Sequence, residues 1–171
     1  MSNEVFEAVS TVLAVRGYQD KKIPDAILRR VVEAGHITAS ASNSQPWHFI
    51  LVKDPEAIRE LGSLVRTGPY IAGAAAAIVV AYEKEKGAFG ISDASRAIQS
   101  MILAAWADGV GSNWSGWIGL EGVRQHVGLP DTYDVIAVIP LGYPKNAIKG
   151  KKKRKPFGEV VSAERFGNPL H

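Results

Sequence analysis

The sequence predicts an α/β fold in layers, with helices flanking a mostly covered sheet. Three observations carry this reading. Stretches of helical periodicity alternate with short apolar runs along the chain. The runs AAAAIVVAY (74–82) and VIAVIPLGY (135–143) are so continuously apolar that each needs cover on both faces. No internal repeat and no linker-like stretch divides the 171 residues, so residues 1–171 are expected to form one domain.

The elements follow in order. Residues 3–14 predict a helix that Asn3 can cap, with Val5, Phe6, Val9 and Leu13 near helical spacing. IPDAILRRVVEAGH (23–36) predicts a second. Pro24 suits its first turn, Ile27, Leu28, Val31 and Val32 share a face, and Gly35 is the expected stop. The uncharged loop ASASNSQP (39–46) leads into a buried strand, WHFILVK (47–53), where His48 reads as a hydrogen-bonded core residue. Asp54 can cap the next helix, PEAIRELGSLV (55–65), with Pro55 at its first position. After the strand at 74–82, residues 91–109 form the strongest helix; Ser92 caps it and Gly109 ends it. That helix is apolar almost all round, which belongs at the centre of a fold or at an interface. Asp93 and Asp108 read as capping or solvated groups near its ends. VGSNWSGW (110–117) is a short strand entering a turn, and LEGVRQHVG (120–128) a short helix closed by Pro130. The last stretch, 157–171, is too poor in apolar residues for its own core and is expected to extend over the body or a partner subunit.

Composition narrows the function. An apolar fraction of 46% and a charged fraction of 22% are those of an ordinary globular protein, and the absence of cysteine excludes disulfides and thiolate metal sites. The N-terminus has no basic stretch followed by an apolar one, and the apolar run at 72–82 is too short to span a bilayer as a helix. A cytoplasmic protein with no membrane partner is expected. KGKKKRK (149–155) holds six cations, so the remainder of a chain at net +3 carries −3. Basicity is local, which favours an anion site over a nucleic-acid surface. There is no nucleophile elbow, no phosphate-cradling glycine loop and no helical histidine pair. His36, His48, His126 and His171 are scattered, so no metal is expected.

Three segments carry candidate chemistry. In the loop at 39–46, Ser40, Ala41, Ser42 and Asn43 offer short donors, acceptors and outward amides without a full charge, a match for the polar edge of a heterocycle. The bland alternative is a turn with capping residues. In SNWSGW (112–117), Gly116 permits close backbone approach and Trp114 and Trp117 supply flat walls; the alternative is a tight turn with core tryptophans. The basic run could grip a phosphate, with Arg16 joining from elsewhere, or could be a solvated loop.

Taken in order, these segments resemble the FMN-dependent nitroreductase family over most of the chain. VRGYQDKKIPDAILRRVVEAG looks like its opening, SASNSQPWHFILV its most recognisable motif, AIQSMILAAWADGVGSNWSGW its central helix and flavin-edge turn, and LPDTYDVIAVIPLGYP with RKPFGEVV its close. The resemblance implies a nitroreductase-like fold, a central, mostly antiparallel sheet flanked by helices, and a homodimer binding one FMN in each interface cleft. By position, Arg16, Lys152 and Arg154 would meet the flavin phosphate. Ser40, Ala41, Ser42 and Asn43, from the partner chain, would meet the ring edge and ribityl chain. Trp114 would lie at the flavin-edge turn, with backbone amides near Ser115 and Gly116 facing the ring nitrogen N5.

The implied reaction is a ping-pong oxidoreduction: NAD(P)H gives hydride to the flavin, and an electron-poor acceptor, a nitroaromatic or quinone, then takes its place. No catalytic side chain is required, because the cofactor carries the chemistry. Alternatives are a flavin carrier or sensor with little turnover, or a specialised reaction such as reductive dehalogenation. The chain departs from the family pattern at Val12, Leu13 and Ala14, where an arginine, a second basic residue and a serine are usual; the basic run could compensate. Ala39 replaces a usual proline, and the brevity of YEKEKGAFGISD implies a more open cleft and weak selectivity.

Overall fold

A computed structural model of the chain describes residues 3–148, 150 and 152–170; Lys149 and Lys151 of the basic run, and His171, lie outside the described residues. Four strands, β1 (Trp47–Val52), β2 (Ala76–Glu83), β3 (Gly111–Ser112) and β4 (Tyr133–Gly142), form one sheet in the order β1–β2–β4–β3, antiparallel throughout. The helices are α1 (Glu4–Thr11), α2 (Asp25–His36), α3 (Pro55–Leu64), α4 (Gly87–Ala107), α5 (Glu121–His126) and α6 (Phe157–Val160).

The period of two along β2 builds the layers. Ala76, Ile78, Val80 and Tyr82 face α2 and α4, meeting Leu28, Val31, Ala97, Ile98 and Met101. Ala77, Val79 and Ala81 face the other way, onto Ile58, Leu61, Ile71 and Val123. Every residue of β2 up to Tyr82 is buried, as its sequence requires. Each fully buried Ile or Val contributes roughly 1.5–3 kcal/mol. The cap of α3 is as expected: Asp54 accepts from the amides of Glu56 (3.0 Å) and Ala57 (2.9 Å).

Four expectations need correction. The first helix stops at Thr11, with Val12 as its C-cap, and buries no residue; Val5 and Phe6 are each 70% exposed. Gly35 does not stop α2. It lies inside the helix, where a Cβ would come within 2.9 Å of Met101, so its smallness lets α2 and α4 touch. β1 is an edge strand paired only with β2, so it is half-covered beyond Trp47, and His48 is exposed, its ring edge-on to Tyr133 with the ring centres 5.8 Å apart. Ser92 does not cap α4, which begins at Gly87; Gly90, buried against Tyr82, carries the extra turn into the fold. In the described part of 157–171, Phe157, Val160, Phe166 and Leu170 are exposed.

Candidate functional site

The loop after α2 is held in an unusual backbone conformation. Ser42 (φ 51°), Asn43 (φ 54°) and Gln45 (φ 49°) all lie in the left-handed region. For a residue with a side chain that costs about 1 kcal/mol each, so the surroundings must impose it. Ser40 does much of the shaping: its carbonyl accepts from the Asn43 amide (3.1 Å) and its Oγ from the Gln45 amide (2.9 Å). Its oxygen is therefore already an acceptor within the loop. Ser42 and Asn43 are exposed, while Ser40 and Ala41 are half-buried. The loop presents small uncharged groups on a stiff frame.

That frame is bolted to α4. The Thr38 hydroxyl donates to the Ala34 carbonyl and meets Ser100 Oγ, each at 2.8 Å, and the Ala41 amide donates to Asp93 Oδ2 at 3.0 Å. Asp93 is not near a helix end, as expected from sequence. It lies within α4, fully buried, and pairs with Arg96 one turn on. Asp108 does sit at the helix end, paired with Arg30 at 2.9 Å.

The second piece is the turn at 113–116. The Ser115 amide donates to the Val138 carbonyl (3.1 Å) and its carbonyl accepts from the Val138 amide (2.9 Å), which ties the turn to β4. This corrects one expectation: the Ser115 N–H is consumed in the sheet, leaving Gly116 as the residue whose amide could face a ligand. Gly116 has φ 80°, and a Cβ there would come within 2.7 Å of Leu120, so only glycine fits. The Trp114 indole N–H donates to the Gly116 carbonyl at 2.9 Å, and its ring stacks on exposed Trp117 at 5.8 Å.

Tyr70 joins this turn to the third piece, and sequence reasoning missed it. Its hydroxyl lies 3.1 Å from Ser115 Oγ and accepts from Asn113 Nδ2, while its ring carries the Arg16 guanidinium 5.7 Å from the centroid. No spacing rule connects these residues; the signal is only a tyrosine in a proline-led turn before a buried strand. Arg16 is exposed beside buried Val15, whose amide donates to the Ser112 carbonyl at 2.8 Å. The Tyr18 hydroxyl donates to the Val15 carbonyl at 2.7 Å, and burial, reinforced by Tyr70 and opposed by Arg16, raises its pKa above the ordinary 10.0.

The basic run comes to the same end of the chain. Lys152 Nζ donates to the Val9 carbonyl at the end of α1, where a cation complements the helix dipole. At Gly150 a Cβ would lie 3.5 Å from Leu13. The run thus lies beside residues 9–13, next to the departure at Val12, Leu13 and Ala14. Arg154 is exposed, donating to the Lys153 carbonyl at 2.8 Å. Among the described residues no hydrogen bond joins the 40–43 loop to Arg16, Lys152 or Arg154.

Among the described residues there is no group of three or more His, Asp or Glu side chains arranged to hold a metal, and no helix long and apolar enough to cross a membrane. Residues 13–69 and 66–143 match the model of the Nitroreductase family. A protein of Archaeoglobus fulgidus, provisionally named NADH dehydrogenase/NAD(P)H nitroreductase, is 32% identical over 151 residues, covering 84% of this chain and 87% of its own. One of the same name from Methanothermobacter thermautotrophicus is 34% identical over 149 residues, covering 82% and 78%. The crystal structure of a protein with that name from Parabacteroides distasonis superposes with a TM-score of 0.87 at 27% identity, covering 96% of this chain and all of the other. By sequence match and by fold, the chain belongs to the nitroreductase family.

Proposed function

We propose that this chain is an NAD(P)H-dependent oxidoreductase that uses FMN and delivers electrons to an electron-poor small molecule, a nitroaromatic or a quinone, in alternating half-reactions. The observation that carries this reading is the presence on one chain of a stiff, uncharged loop and of a glycine turn whose tyrosine hub also carries an exposed arginine. These groups suit FMN: a planar polar ring needs small neutral donors and acceptors, and its phosphate needs cations. When bound, FMN supplies the two-electron chemistry. The chain's own tasks are to hold and orient the ring and to neutralise charge. Ser42 and Asn43 face the ring edge and ribityl chain within the frame set by Ser40 and Ala41. Trp114 walls the flavin-edge turn, Gly116 offers its amide, and Arg16, Lys152 and Arg154 take the phosphate end. The basic run, lying beside Leu13, stands in for the cations missing at Val12–Ala14.

The active form in this reading is a homodimer, with each 40–43 loop completing the partner's cleft. Exposed apolar side chains support this, being concentrated at the two chain ends: Val5, Phe6 and Val9 on α1, and Phe157, Val160, Phe166 and Leu170 in the tail. Only the three-residue turn Lys84–Lys86 separates β2 from α4, which leaves the cleft without a lid and its selectivity broad.

With oxygen excluded, purified protein supplied with FMN should turn over NADH or NADPH only when a quinone or nitroaromatic is present, with parallel lines in double-reciprocal plots. Flavin retained without any such oxidation would make the protein a carrier instead. Within the same assay Arg154→Ala should weaken FMN binding by about tenfold or more, the loss of one charge-assisted contact. An unchanged affinity would remove the basic run from the site.

A further inference from the structure

We infer that Asp93 is a positioning residue for the 40–43 loop: its buried carboxylate fixes the backbone that presents Ser42 and Asn43 to the flavin. The inference rests on the proposed cofactor reading and adds a residue that no motif or resemblance assigns.

The anchors of the loop lead to this residue. At one end Thr38 meets Ser100, and at the other the Pro46 carbonyl accepts from the Glu83 amide at 2.9 Å. Between them, the loop's bonds among the described residues are internal, to the Ser40 carbonyl and Oγ, the Ala41 carbonyl and the Asn43 carbonyl. The exception is Ala41 N–H to Asp93 Oδ2 at 3.0 Å. Internal bonds set the shape of the loop but not its place on the molecule. Asp93 supplies the place.

The anchor itself is well fixed. Its neighbours Ala94 and Ala97 are fully buried against the sheet, so the helix cannot slide without opening the core. A fully buried carboxylate is expensive unless paired and hydrogen-bonded. Here the partner is Arg96, half-exposed, and the second oxygen serves the Ala41 amide. Carboxylate oxygens only accept, so they select a backbone N–H and reject the flipped peptide that would present a carbonyl. That choice matters where the next residues, Ser42 and Asn43, sit in the left-handed region and would relax if released.

The test uses Asp93→Asn and Asp93→Ala in the full chain. Three readouts are taken: hydrogen exchange at the Ala41 amide without flavin, FMN affinity, and the shape of the visible flavin band. Asparagine keeps an acceptor oxygen, so the expected order is graded. Ala41 exchange and the FMN dissociation constant should each rise about tenfold in Asp93→Ala and less in Asp93→Asn, with band shape changing in the same order. A folded Asp93→Ala with wild-type exchange, affinity and spectrum overturns the inference. Should that variant not fold, a wild-type result for Asp93→Asn in all three readouts does the same. If the unmodified protein binds no FMN, the cofactor reading fails, whereas Ala41 exchange still decides whether Asp93 holds the loop.

Discussion

Tyr70 holds together two segments that the chain separates widely, the arginine after α1 and the turn before α5. Its hydroxyl serves Asn113 and Ser115, which are 6% and 1% exposed; Asn113 Nδ2 also donates to the Trp114 carbonyl at 2.9 Å. Tyr70→Phe removes that oxygen while keeping the ring under Arg16. It should cost about 1–3 kcal/mol by leaving buried polar groups short of a partner, measured by urea unfolding, and should loosen FMN binding through the turn. A neutral result would mean that water replaces the hydroxyl. Single residues were unevenly legible in the sequence. Asn3, Asp54 and Gly109 announce themselves because caps depend on local geometry alone. Tyr70 and Asp93 do not, because their partners lie across the fold and nothing in the local pattern marks them. The engaged Ser115 amide was hidden for the same reason.

Among the elements, α4 shows how a strong pattern can mislead at its edges. The apolar stretch from Ile91 onward is plain, but Gly87 and Gly90 look like helix breakers. Gly90 is tolerated because the helix must pass within contact of Tyr82, where a Cβ would meet the ring at 2.8 Å. Gly35 was read as a stop for a similar reason, when its work is to admit Met101. Gly35→Ala should therefore destabilise the protein by roughly 1–3 kcal/mol through overpacking of the α2–α4 contact, seen as a lower denaturation midpoint. If the alanine variant were more stable, Met101 would have room to move and the close contact would not matter. The loop at 40–43 was legible in composition but not in conformation, since serine gives no sign that it will adopt a positive φ.

For the whole molecule, the two-sided core follows from apolar runs that need cover on both faces and was readable, whereas the antiparallel sheet was legible only through the family resemblance and the strand order not at all. What the chain ends do was not readable either, because α1 and the tail satisfy few contacts within one subunit. Global stability should also carry a mark of the buried Tyr18. Burial raises its pKa above 10.0, so the unfolded chain loses that proton first. Its contribution is present below pH 10 and declines as pH rises beyond it. Tyr18→Phe should flatten the fall of unfolding free energy above pH 10; an identical slope would show that Tyr18 ionises equally in both states. The central claim is that two copies of this chain together enclose FMN, and it is tested most directly by titrating the purified protein with FMN and passing it through gel filtration. Flavin should travel with a species of twice the chain's mass, saturating at one flavin per chain, and Asn43→Ala should release it. A single subunit that retains no flavin at saturating concentration would contradict the account.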